Sequence, residues 1–196
     1  MQSHELTRRI GWGAALLLLP ALAYAHVGSG YSGGVVQGFL HPWMGIDHMA
    51  AMLAVGLWAA QRGGRAIWAV PVSFMTVMLL GGAIGMAGIA LPWVEPGIVA
   101  SVLVLGLLVA AAVRLPLLAS SVLVGLFAVF HGHAHGTEMP AMASGLAYGI
   151  GFVIATAALH GCGAGLGHLA RRWASPRIAQ YAGALIAAFG LYLGFA

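Results

Sequence analysis

Apolar runs of about twenty residues recur along this chain, each ended by arginine, proline or glycine. That length carries a helix across a hydrocarbon layer of ~30 Å. Cutting at the breaks gives six spans, at residues 35–60, 66–90, 97–113, 117–131, 141–160 and 178–196, the fifth able to continue toward residue 170. The separating segments are Gln61-Arg-Gly-Gly-Arg65, Leu91-Pro-Trp-Val-Glu-Pro96, Arg114-Leu-Pro116, a polar connection at 133–140, and Arg171-Arg-Trp-Ala-Ser-Pro-Arg177. The pattern predicts an all-α, polytopic membrane helix bundle of about six transmembrane helices. Glycines four apart (Gly81/Gly85, Gly145/Gly149, Gly161/Gly165, Gly163/Gly167 and Gly190/Gly194) predict that neighbouring helices approach closely.

The segment before the spans has a different design. Arg8 and Arg9 precede a short apolar core that includes Leu16-Leu-Leu-Leu19, and Ala23-Tyr-Ala25 has the small-x-small form of a cleavage site. Residues 1–25 therefore read as a signal peptide and 26–196 as a single six-helix transmembrane domain. Cleavage leaves His26 as the mature N-terminus, outside the cytoplasm. With that start, Arg62, Arg65, Arg114, Arg171, Arg172 and Arg177 all fall in cytoplasmic turns, as the positive-inside rule requires. The reading is a multi-pass protein of a bacterial inner membrane with both mature termini periplasmic.

Composition narrows the class further. Hydrophobic residues make up 61% of the chain and charged residues 6%, against roughly 25% charged in a soluble domain. The net charge of +4 comes from arginine alone and is spread over the turns, which argues against a nucleic-acid partner and for the lipid bilayer. The lone Cys162 excludes an intrachain disulfide. No nucleotide-binding motif is present, so ATP hydrolysis is not expected, and with no separate general base in a pocket of its own the chain does not read as an enzyme. A homo-oligomer is left open.

The chemistry sits in two stretches. The first, His41-Pro-Trp-Met-Gly-Ile-Asp47-His48, opens span one. On a continuous helix, His41 and His48 lie nearly two turns apart and face the same way. Asp47 either ligates beside them or orients an imidazole. An aspartate deep in a bilayer costs about 2.5–3.5 kcal/mol, so three such groups together point to function. The second stretch, Phe130-His-Gly-His-Ala-His-Gly-Thr-Glu138, ends span four. As a helix it presents His131, His135 and Glu138 on one stripe with His133 turned away. As a strand it groups the three histidines instead, and the helical form is favoured. Imidazole and carboxylate together suit Ni²⁺, Co²⁺ or Zn²⁺. His26 and Glu95 on the outer side are further candidate ligands. His160, with Cys162, sits near the inner end of span five as a candidate exit ligand. No prosthetic group is expected.

These two stretches resemble the HupE/UreJ family of nickel transport proteins, whose marks are His-x5-Asp-His in the first span and Phe-His-Gly-x-Ala-His-Gly-x-Glu near the fourth. Every fixed position matches. The resemblance implies Ni²⁺ as the transported ion, taken up by facilitated diffusion to supply hydrogenase or urease maturation. It also marks Phe74 and Glu95 as functional positions and leaves His133 at a variable one. The nickel/cobalt transporters with His-x4-Asp-His are excluded, because five residues separate His41 from Asp47. The alternatives are an intramembrane metal-dependent enzyme and a non-transporting metal-binding accessory protein.

Overall fold

A computed structural model describes residues 34–140, 143–173 and 175–196 of the chain, within the unit Gly33–Ala196. The expected signal peptide and His26 lie outside the described residues. Among those described, the regular structure is entirely helical: α1 (Gly34–Leu40), a 3-10 turn (His41–Trp43), α2 (Ile46–Arg62), α3 (Ala66–Met86), α4 (Val94–Ala110), α5 (Leu117–Thr137), α6 (Gly145–Trp173) and α7 (Pro176–Leu193).

Span one is not continuous. Pro42 stands in the first turn of the 3-10 segment, where its missing N–H costs little, but its ring cannot follow an uninterrupted α-helix. Gly45 then takes an extended conformation, φ −99° and ψ 113°, and α2 restarts after it. The two helical pieces are bent by 83°. His41 and His48 therefore do not share one helix face, contrary to the continuous-helix expectation.

The other segments follow the hydrophobic pattern with shifted ends. Three helices, Ala66–Met86, Leu117–Thr137 and Gly145–Arg172, are long and apolar enough to cross a membrane, and the bent pair makes up to four. The helices at the third and sixth predicted spans are shorter: Val94–Ala110 has 17 residues, about 25 Å at 1.5 Å per residue. The six apolar segments are thus present, but not as six full-length spans. Helix α6 has 29 residues, so His160 lies near its middle rather than at its inner end. Leu80, Leu118, Leu146 and Leu185 are exposed on the outer surfaces of the helices, as suits a lipid-facing surface.

Glycine decides which helices pair. A Cβ on Gly132 would overlap the carbonyl of Met78, one on Gly136 that of Gly82, and ones on Gly81 and Gly85 those of Val129 and His133. These four lock the C-terminal parts of α3 and α5 against each other. Gly56 meets the His160 carbonyl in the same way and Gly163 that of Leu53, seating α2 on α6. Gly106, Gly183 and Gly190 do the same between α4 and α7. Of the predicted glycine pairs, Gly81/Gly85 is fully at an interface, whereas Gly161 and Gly165 face open space. Gly132/Gly136 was hidden inside the histidine motif.

One end of α2 is tied to the turn between α4 and α5. Trp58 Nε1 donates to the Val113 carbonyl at 2.8 Å, Gln61 Nε2 donates to that of Val109 at 3.0 Å, and Arg62 donates to the Ser120 hydroxyl. Arg171 approaches Gly63 at the same end. The histidines of the two motifs lie toward the other end of α2, where His48 stands in its first turn.

Candidate metal site

Helix α5 runs without a break through the second motif, because Gly132 and Gly136 are held helical by the α3 contact. His131 and His135 are therefore on one stripe, 0% and 4% exposed, and Glu138 caps the helix end. His48 stands in the first turn of α2, 8% exposed. His41 approaches from the 3-10 turn.

The two motifs meet. The ring centroid of His135 lies 4.8 Å from that of His41 and 4.2 Å from that of His48, and His48 is 4.7 Å from His131. A metal at ~2.1 Å from a ring nitrogen is roughly 3.2 Å from the ring centroid, so two imidazoles at right angles about it have centroids about 4.6 Å apart. The observed spacings are on that scale. The bend at His41–Gly45 makes this convergence: it turns His41 back toward His135 while His48 enters from α2.

Carboxylates orient the cluster. Asp47 Oδ1 accepts from the His48 backbone N–H at 2.8 Å and is 2.9 Å from His48 Nδ1. A carboxylate only accepts, so Nδ1 carries the proton and Nε2 presents a lone pair. Gly45 makes room for this pair, since a Cβ there would press on both Asp47 Oδ1 and His48 Nδ1 at 2.9 Å. Glu138 Oε2 lies 3.0 Å from His41 Nε2 and 3.9 Å from His135 Nδ1. One ligand atom from each of His41, His135 and Glu138 falls within 4.8 Å of the others.

Several polar atoms in the cluster are buried without a hydrogen-bond partner among the described residues: His48 Nε2, His131 Nδ1, both ring nitrogens of His135, and the Tyr148 hydroxyl. Each such group in an apolar interior costs about 1–3 kcal/mol. A divalent cation drawn to the bare nitrogens would offset that cost. A cavity of about 40 Å³ adjoins the cluster, lined by His135, Tyr148, Met78, Met86 and Phe152 among others.

The family model described as HupE / UreJ protein matches residues 14–193. The chain belongs to the HupE/UreJ family. It is 46% identical over 179 residues to the Protein HupE of Rhizobium leguminosarum bv. viciae, which covers 91% of this chain and 93% of that protein. No solved structure matches the chain significantly.

In this HupE/UreJ protein the remaining predicted residues fall at graded distances from the cluster. Phe74 is fully buried on α3, its ring centroid 5.6 Å from that of His131 and 5.2 Å from that of His160. It stands between the motif histidines and His160, whose two ring nitrogens are also buried without partners. Cys162, two residues on, is exposed, so the two do not share a helix face as an exit pair would. His133 turns away, as the helical reading expects, and donates Nε2–H to the Ile89 carbonyl at 2.8 Å. Glu95 lies exposed in the first turn of α4, outside the group formed by His41, His135 and Glu138. The motif's Phe130 packs its ring where a Cβ of Gly97 would be.

Three contributors escaped the sequence reading. Tyr148 stacks on Phe152 and lies edge-on to His41 at 5.8 Å. Phe152 is 4.4 Å from His135, centroid to centroid. Ser101, fully buried on α4, meets His131 Nε2 at 2.7 Å. Ser101 alone carried a signal, as a hydroxyl amid the apolar residues of α4. The two aromatics look like ordinary core residues in the sequence.

Proposed function

We propose that this chain carries a divalent metal ion, Ni²⁺ in the first place, across the membrane by facilitated diffusion, and so supplies hydrogenase or urease maturation. One observation bears the weight of this reading: the imidazoles of His41, His48, His131 and His135, from two distant motifs, converge, and three of them carry buried nitrogens with no hydrogen-bond partner among the described residues. The motif pattern favours Ni²⁺ over Co²⁺ and Zn²⁺, which the same ligand chemistry would accept.

Glu138 and His41, the more exposed groups, capture the ion at the periplasmic side and replace part of its water. His48, oriented by Asp47, then shares it with His131 and His135. His160, beyond the Phe74 ring, is the next stopping point toward the cytoplasm. Binding at each stage stays modest, since a site that holds too tightly cannot release. A membrane potential of 100 mV favours inward movement of a doubly charged ion by about 4.6 kcal/mol, twice the value per elementary charge. Glu95 adds negative charge to the periplasmic face.

The test is metal uptake into liposomes holding the purified protein alone, driven by a potential. Nickel accumulation that is lost in His41→Ala supports the reading. Metal binding by the protein without accumulation overturns it in favour of an accessory or enzymatic role.

A further inference from the structure

Helix α4 buries a single hydroxyl, that of Ser101, among aliphatic side chains. Its oxygen is 2.6 Å from the Ile98 carbonyl oxygen and 2.7 Å from His131 Nε2. A serine has one proton to give. The carbonyl can only accept, and two bare oxygens facing each other at 2.6 Å would repel, so the hydroxyl donates to Ile98. The oxygen then accepts from His131, which places the ring proton on Nε2 and the lone pair on Nδ1. Nδ1 is the His131 nitrogen that is buried without a partner among the described residues.

We propose that Ser101 is a positioning residue: it holds His131 in the Nε2–H tautomer and makes Nδ1 its metal-binding atom. His48 is set the opposite way by Asp47, with the proton on Nδ1 and Nε2 bare. The two neighbouring rings, nearly perpendicular at 88°, thus offer one nitrogen of each kind. A polar partner that locks the ring of a ligating histidine is worth 10–100-fold in metal affinity in other sites, about the loss expected here. The bland alternative is a serine satisfied by its own helix carbonyl, and it predicts no effect on the metal. The proposal rests on the reading of His131 as a ligand.

The experiment uses full-length protein in detergent micelles with histidine labelled in the heavy nitrogen isotope. Nitrogen NMR reports the tautomer of His131, assigned by the signal missing in His131→Ala, and equilibrium dialysis reports Ni²⁺ affinity. The proposal expects the Nε2–H tautomer in the metal-free wild type. It further expects an affinity loss of about 10–100-fold in Ser101→Ala, with recovery in Ser101→Thr. An Nδ1–H signal in the wild type overturns it, even where a variant does not fold. So does wild-type affinity in Ser101→Ala alongside weakened binding in His131→Ala. Wild-type affinity in His131→Ala would instead overturn the ligand reading itself.

Discussion

Asp47 separates orientation from charge at this site. Its Oδ1 makes two contacts to one residue, 2.8 Å to the His48 N–H and 2.9 Å to Nδ1. Asp47→Ala removes both and frees the imidazole to rotate or to move its proton to Nε2, the nitrogen proposed to bind the metal. A hydrogen bond to a charged group is worth about 1.5–3 kcal/mol, and loss of such a support lowers metal affinity about 10–100-fold, or ~1.4–2.7 kcal/mol. The two scales agree. Asp47→Asn keeps an accepting oxygen in place but without charge. A neutral hydrogen bond is roughly half as strong, so this variant should lose about 0.7–1.5 kcal/mol, or roughly 3–12-fold. Equilibrium dialysis with radioactive nickel measures both, and uptake into liposomes should fall in the same order. Asp47 also sits in the first turn of α2, where a negative charge stabilises the helix by about 0.3–1 kcal/mol. Thermal unfolding of the metal-free protein separates that smaller effect. Wild-type nickel affinity in Asp47→Ala would refute the orienting role. Equal losses in the two variants would assign the whole effect to charge.

Three other outcomes follow from packing. Gly132→Ala drives a methyl into the Met78 carbonyl and forces α3 from α5; it should cost about 1–3 kcal/mol, read as a lower unfolding midpoint. Gly161→Ala meets nothing within 4 Å and should stabilise α6 by up to about 1 kcal/mol; a loss comparable to Gly132→Ala would contradict the assigned interface. Phe74→Ala removes a fully buried ring, at a cost of about 3–5 kcal/mol, while nickel binding at the motif histidines persists. Its uptake should differ from that of Phe74→Leu, which still fills the space, and indistinguishable transport in the two would show that the ring does not separate His131 from His160.

How much was legible in the sequence depended on how local the cause was. The helical stripe His131, His135 and Glu138 follows from spacings of four and three, and it is present as expected. The membrane class follows from composition, because 61% hydrophobic and 6% charged residues lie far from the roughly 25% charged of a soluble domain. The first motif was misjudged. A spacing of seven positions from His41 to His48 suggests one face of one helix, but the 3-10 turn through Pro42 and the extended Gly45 break that face.

Hydrophobic periodicity, helix-breaking residues and the imidazole and carboxylate groups of both motifs were determined by the sequence itself, because each is a property of neighbours along the chain. Only the tertiary structure decided that the motifs meet, that His160 lies behind Phe74 in mid-helix, and that Ser101 and Tyr148 join the cluster. Those relations depend on how closely α3 and α5, and α2 and α6, approach. That distance is set by glycines whose partner carbonyls lie some fifty to more than a hundred positions away in sequence, as Gly132 does from Met78 and Gly56 from His160. Close backbone contact lets side chains on crossing helices reach one another, and spacing along one chain segment does not record it.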